Sequence, residues 1–376
     1  MRIVHVDTSP DESRIKVEFD SGNQTELWIQ ASVDLEKTAD CWLFMMLPVC
    51  MGLAENLEVV GTVSETAIAS FHNAQTELLE RHPHLAKIEL THLGKINQSE
   101  PNNQSRNVGV FFSGGLDSTY TAVSVPEINT LIAVWGFDIP IWNEKHWNLT
   151  TDLLEQHAAA LGKKLIKVKT NIREVSNGLL SWGRDYHGTA IAAVGNSLSR
   201  HLKRVYVSAQ HIEETKRWGQ FPSLSRAFST DYQEVIEYGA EIRTAKALAL
   251  AENPAVRFIR VCYRNKTGLA NCGECQKCLR TRLEFGLIQA MYRPLGLETM
   301  PSMSRLLKVR IEGNDYKFFK HSISFPRQKG YPKTLSPLIA ISLARLKSMY
   351  YFKVVNPKKA KDYLKPPSSG LNTNSQ

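Results

Sequence analysis

Four cysteines, Cys262, Cys272, Cys275 and Cys278, fall within one short stretch of the chain. The last three follow a C-x2-C-x2-C pattern, and Cys262 lies ten positions before Cys272. Four thiolates at such spacing suit a tetrahedral zinc ion, and a four-thiolate site leaves no coordination position open. The metal would therefore fold the loop from 262 to 278 and do no chemistry. An iron–sulfur cluster is the rival, because it uses the same ligands. The second constellation is Ser113-Gly114-Gly115-Leu116-Asp117-Ser118, set between an apolar strand candidate at 107–112 and a helix candidate. Backbone N–H groups at a helix N-terminus bind anions, and glycines let a phosphate come close. Ser113 and Ser118 add hydroxyl donors, and Asp117 can hold Mg2+ or cap the helix. No Gly-Lys-Ser/Thr follows and no G-x-G-x-x-G is present, so neither the Walker A nor the dinucleotide pattern applies. A plain Gly-rich turn with an Asp cap is the bland alternative.

The string S-G-G-x-D-S resembles the PP-loop of the N-type ATP pyrophosphatases. The resemblance implies that Ser113, Gly114, Gly115, Leu116, Asp117 and Ser118 grip the pyrophosphate end of ATP. It also implies Mg2+ and cleavage of the α–β bond, giving an adenylated substrate and pyrophosphate. The backbone at Gly136-Phe137-Asp138, after the second strand, would meet the adenine. Asp138 could serve ribose or metal, or be a turn residue before Ile139-Pro140. Taken with the cysteine pattern about 145 residues further on, the chain resembles the 7-cyano-7-deazaguanine synthase family over roughly residues 105–290. That family activates a carboxylate with ATP for attack by ammonia. The resemblance therefore implies a carbon–nitrogen ligase acting on a small carboxylate with ammonia or another amine, with ATP, Mg2+ and Zn2+ as cofactors. A homodimer is a candidate assembly.

Segments 136–140, 170–173 and 271–281 look like a broader group of stand-alone PP-loop proteins. Members of that group often carry G-S-H-P and an Asp after the fourth strand. Here Gly219-Gln220-Phe221-Pro222-Ser223-Leu224-Ser225 replaces the His and Asp, which implies another acceptor or lower activity. Arg243 and Lys246 lie three positions apart, on one face of an expected helix. Cations there can neutralise leaving pyrophosphate, so they join Asp117 and Ser118 as catalytic candidates; a solvated helix face is the equal alternative. Lys277, Arg280 and Arg282 face the same choice, and His187 is read as more often structural.

Short apolar strands alternating with helices predict a parallel sheet covered on both faces over 107–295, and the resemblance implies a doubly wound sheet of adenine-nucleotide α-hydrolase type. Strands are expected at 107–112, 131–137, 165–168 and 205–208, with helices at 150–161 and 185–202. Residues 1–92 read as a small N-terminal α/β accessory domain, with strands at 14–19 and 25–29 and helices around 34–54 and 64–81. Residues 93–106 read as a linker, 296–365 as a basic extension with a strand-like piece at 307–311, and 366–376 as a disordered tail.

The 376 residues are 43% hydrophobic and 22% charged, normal for a globular chain. The net charge of +9 is uneven. From residue 301 onward, fifteen Lys and Arg face three acids, so this segment carries +12 and the rest −3. The charge therefore bears on nucleic acid, lipid or protein contact by the tail, with residues 336–351 either an apolar-basic face or, as the bland alternative, a helix packed on the body with a solvated basic edge. The apolar run 41–54 is too short to span a bilayer, and Pro48 should break or kink the helix it forms. No segment reads as an export signal, which points to the cytoplasm, where cysteines more often bind metal than pair. Competing functions are an RNA-modifying enzyme of the tRNA thiolation type and a non-catalytic nucleotide-binding subunit.

Overall fold

The computed structural model describes residues 1–6, 9–97, 107–209, 219–262, 264, 270–309, 311, 315–331 and 335–350. Two compact units result, Met1–Glu241 and Ile242–Gln376. Among the described residues the first contains twelve strands: β1 (Arg2–Val6), β2 (Glu12–Glu18), β3 (Gln24–Ala31), β4 (Leu57–Val60), β5 (Val63–Ser64), β6 (Leu90–Leu93), β7 (Ile96–Asn97), β8 (Asn107–Phe111), β9 (Thr130–Trp135), β10 (Lys164–Thr170), β11 (Leu202–Ser208) and β12 (Glu234–Tyr238). Ten of them form one sheet in the order β12-β11-β8-β9-β10-β3-β2-β1-β4-β6, and β5 pairs with β7 apart. The large sheet is mostly parallel; only β10–β3, β3–β2 and β2–β1 are antiparallel.

Residue patterning explains the mixture. In β2, Ile15 and Val17 are buried while Lys16 and Glu18 are exposed, the alternation of a strand covered on one face. In β8 and β9 both faces are apolar. Val110, Leu131, Ala133 and Trp135 share a core with Ala122, Leu154 and Ala158, from helices Leu116–Ser124 and Glu144–Leu161. Phe111, Ile132 and Val134 meet the other core, with side chains from helices Asp40–Leu53 and His187–Ser197. Strands buried on both sides are the expected setting for parallel pairing.

The expected buried helix is present, and of the expected break or kink at Pro48 the break does not occur. Asp40–Leu53 is one helix with Pro48 inside it, and twelve of its residues are buried. Proline removes one helical hydrogen bond, but burial of Trp42, Phe44, Met45 and Leu47 holds the helix against the core. The long helix expected at 185–202 is instead a π-turn, Trp182–Tyr186, leading into His187–Ser197. The strand-like piece at 307–311 is also corrected: Met303–Lys308 is a helix, started by Ser302 Oγ accepting from Arg305 N at 3.3 Å. Among the described residues no helix is long and apolar enough to cross a membrane.

The compact units also differ from the expected domains. Residues 1–92 are not set apart, because β3 pairs with β10 through Ala31, Gln30 and Ile29 opposite Val168, Lys169 and Thr170. Side chains reinforce the joint. Thr170 Oγ1 donates to Trp28 O at 2.6 Å, Asn171 Oδ1 accepts from Trp28 N at 2.9 Å, and Asn171 Nδ2 donates to Glu26 O at 2.9 Å. Of the expected linker, Leu93 and Ile96–Asn97 are strand residues, and 98–106 lie outside the described residues.

In the second unit, helices Met303–Lys308, Asp315–Gln328 and Leu335–Tyr350 share a core with the cysteine-bearing helix Gln276–Leu287. Leu279, Leu283, Leu306, Phe319, Ile341 and Ala344 build it. The described part of the basic extension is thus packed, as the bland alternative has it, with buried residues as far as Ser348. On its last helix Arg345 stacks over Tyr316 at 4.0 Å, while Leu335, Ile339, Leu343 and Leu346 are exposed. The expected disordered tail, and all of 351–376, lie outside the described residues.

Asn171→Ala should remove two hydrogen bonds from the β3–β10 joint and cost about 1–3 kcal/mol. The urea midpoint of the first unit should fall accordingly. An unchanged midpoint would show that this side chain does not hold the two strand groups together.

Candidate phosphate loop and metal centre

β8 runs into a four-residue turn, 112–115, and the helix Leu116–Ser124 follows. Gly114 makes the turn with φ +70°, and a Cβ there would come within 2.6 Å of Leu154 Cδ2. Any other residue is both strained and short of space. Gly115 is the N-cap, and no side chain caps the helix, so no capping side chain competes for its first N–H groups. Ser113 Oγ accepts from Gly115 N at 3.3 Å and stands 3.5 Å from Ser118 Oγ. Ser118 Oγ and Thr119 Oγ1 both donate to Gly115 O, at 3.2 and 2.8 Å. Leu116 is fully buried and offers only its backbone, whereas Ser113 is exposed and Asp117 half-buried. All six expected loop residues therefore share one turn.

Two supports went unnoticed in the sequence. His157 is fully buried behind the loop, edge-on to Phe112 at 4.9 Å and 3.5 Å from Thr119 Oγ1. Burial pushes its imidazole down to about 4. Thr121 accepts from Ser208 Oγ at 2.9 Å and so ties the loop helix to β11. Neither residue carries a pattern of its own; their roles depend on which helix covers which strand.

After β9, Gly136 has φ +108°, and a Cβ on it would collide with the Thr170 carbonyl oxygen. Gly136 N donates to Ile139 O at 3.0 Å and closes the turn that carries exposed Asp138. Arg173 donates to Phe137 O and lies 4.8 Å over the Trp182 ring. Burial pushes the neighbouring His187 imidazole down, opposed by the Asp138 charge, and its Nδ1 is buried without a hydrogen-bond partner. Thr170 and Asn171, noted in the sequence as family-like, serve the strand joint instead. At 219–225, Gln220 Nε2 donates to Ser208 O at 3.3 Å and Phe221 is buried, with no titratable side chain in the segment before Arg226.

In the second unit the four cysteines converge, their sulfurs all within 4.8 Å of one another. Cys272 Sγ and Cys278 Sγ are 3.9 Å apart. A tetrahedron with Zn–S bonds of about 2.3 Å has edges of about 3.8 Å, so the cluster fits such an ion. Cys275 N donates to Cys272 Sγ at 3.3 Å, and Cys275 is the N-cap of Gln276–Leu287. Asn271 pins the loop base, accepting from Val261 N at 2.9 Å and donating to Ile259 O at 2.9 Å and Leu295 O at 3.0 Å. The hydrogen bond with Cys275 and burial push the Cys278 thiol upward, as crowded thiols do until a cation offsets their charge. Residues 263 and 265–269 of this loop lie outside the described residues.

Arg243 opens the helix Arg243–Ala249 and is held by fully buried Glu284 at 3.2 Å and by Thr281 Oγ1 at 3.1 Å. Glu284 also lies 3.8 Å from Arg280 and accepts from Ser322 Oγ at 2.7 Å. Lys246 is 1% exposed, which excludes the solvated-face reading for it. Arg282 is bound to Thr299 and Gly273, a structural role.

Two outcomes test this geometry. Because the folded His157 imidazole titrates below the unfolded value of about 6.5, the unfolded chain takes up the proton first as pH falls. Stability should be full above about 6.5 and be lost towards pH 4, by roughly 3 kcal/mol at most. His157→Gln should flatten the melting-temperature profile across that window; identical profiles would sink the assignment. Cys275→Ser should lower bound zinc by one equivalent per chain and destabilise the helical unit, as read by metal analysis and thermal unfolding. Full zinc content in that variant would remove the cysteines from the site. No family model, curated protein or solved structure matches this chain.

Proposed function

We propose that this chain is a PP-loop ATP pyrophosphatase of the carbon–nitrogen ligase type, similar to 7-cyano-7-deazaguanine synthase. The observation that carries the reading is the position of the 113–118 loop. From β8 the chain builds β9 and β10 on one side, then returns to place β11 and β12 on the other. Read as a doubly wound sheet, the order of these five parallel strands reverses at β8. Ligands in such sheets bind at the carboxyl ends of the strands, at this reversal, where the loop lies.

In this reading the helix N–H groups and the hydroxyls of Ser113 and Ser118 receive the pyrophosphate end of ATP. Asp117 would hold Mg2+, which neutralises phosphate charge. The backbone at Gly136 would meet adenine, and Asp138 would serve ribose or metal. A substrate carboxylate oxygen attacks the α-phosphorus, the bond to the bridging oxygen breaks, and pyrophosphate leaves. Ammonia or another amine then attacks the acyl carbon and displaces AMP. Arg243 and Lys246 belong to the second unit, where Glu284 fixes the orientation of Arg243. Zinc in the four-cysteine loop is structural, since four thiolates fill its coordination sphere.

The thiolation alternative needs a free catalytic cysteine or an iron–sulfur cluster: Cys41 and Cys50 are buried with thiols pushed up by that burial, and iron in the four-cysteine loop of the purified protein would revive it.

Incubation with ATP, Mg2+, ammonia and a panel of small carboxylates should release pyrophosphate. Ser118→Ala and Asp117→Asn should lower the rate by about 10²–10³-fold. Folded protein that neither binds ATP nor releases pyrophosphate with any carboxylate would overturn the reading.

A further inference from the structure

A cluster of metal-ligating side chains stands apart from the phosphate loop and the cysteines. His82 and His84 follow the helix Glu65–Arg81, and Asp185 lies in the π-turn Trp182–Tyr186. One ligand atom from each falls within 4.8 Å of the other two. His82 Nδ1 is 3.5 Å and His84 Nε2 is 3.3 Å from Asp185 Oδ1. These separations are long for charge-assisted hydrogen bonds, which run about 2.7–2.9 Å. They match the edge of a tetrahedron around an ion with bonds of about 2.0–2.1 Å, which is about 3.3 Å.

We infer that His82, His84 and Asp185 form a second metal site, for a divalent first-row ion such as Zn2+. Two imidazoles and one carboxylate are a donor set suited to that class. His82 and Asp185 are 4% and 1% exposed, and His84 is 45% exposed, so the site is anchored in the fold yet open to entry. A carboxylate has about four lone-pair positions. Arg184 takes two, with Nε 2.8 Å from Oδ1 and Nη2 3.0 Å from Oδ2, and Ser181 N takes another at 3.0 Å. The remaining position on Oδ1 faces the histidines. Arg184 and Ser181 thus orient the ligand as outer partners do in metal sites. The Arg184 charge competes with the ion, so the site binds more weakly than the four-cysteine loop. The ion would clip the end of Glu65–Arg81 to the turn that leads into His187.

The test uses the full chain and zinc alone. Protein equilibrated with Zn2+ should hold one equivalent more than His84→Ala, or bind the weaker equivalent at least about tenfold more tightly. His84→Ala changes a partly exposed side chain, and circular dichroism checks that it folds. His82→Asn, a smaller change at the buried ligand, should lose the same equivalent while the four-cysteine site keeps its own. Equal stoichiometry and affinity in wild type and His84→Ala would overturn the inference, whichever metal the cysteines hold.

Discussion

The antiparallel contact between β3 and β10 is the constraint on which the first unit depends. Without it, residues 1–97 would be a separate sheet fragment with an open edge, and β10 would end the parallel sheet with unpaired N–H and C=O groups. With it, ten strands share one hydrogen-bonded network. Thr170 and Asn171 secure this contact with side-chain hydrogen bonds to Trp28 and Glu26. The same stretch approaches Gly136 so closely that no Cβ fits there. The joint and the turn carrying Asp138 are therefore one piece of packing.

A consequence is that the N-terminal segment supplies part of the cover for the parallel strands. Helix Asp40–Leu53 joins His187–Ser197 in the core beneath Phe111, Ile132 and Val134. Phe44 meets Phe228 with ring centroids 5.0 Å apart. This accounts for the most apolar run of the chain. It is apolar all round because it is buried all round, a pattern shared by membrane helices and core helices.

The second unit is organised differently. Its chemistry-bearing groups are held by helix packing around Gln276–Leu287, which carries Cys278 near its start and Glu284 in its third turn. Glu284 draws Arg243, Arg280 and Ser322 to one buried point. A carboxylate removed from water must be met by such partners. The guanidinium at 243 owes its fixed orientation to them.

The sequence by itself determined the local motifs. Glycines at 114 and 115 between an apolar run and a polar helix start implied the turn. The cysteine spacing implied the cluster, and period-two alternation implied β2 and β3. These signals are short-range, so a few neighbouring residues decide them. It did not determine that Pro48 would sit within an unbroken helix, because the energy that tolerates it comes from distant side chains. Nor did it separate domains correctly at 93–106, since a strand pairing across more than 130 residues leaves no local mark. His82 and His84 stand two positions apart, and the carboxylate near them lies about a hundred residues further on. Only tertiary structure brings Asp185 to them, as it brings His157 behind the phosphate loop and Glu284 to Arg243. In each case folding must first decide which elements pack together before one residue can act on another.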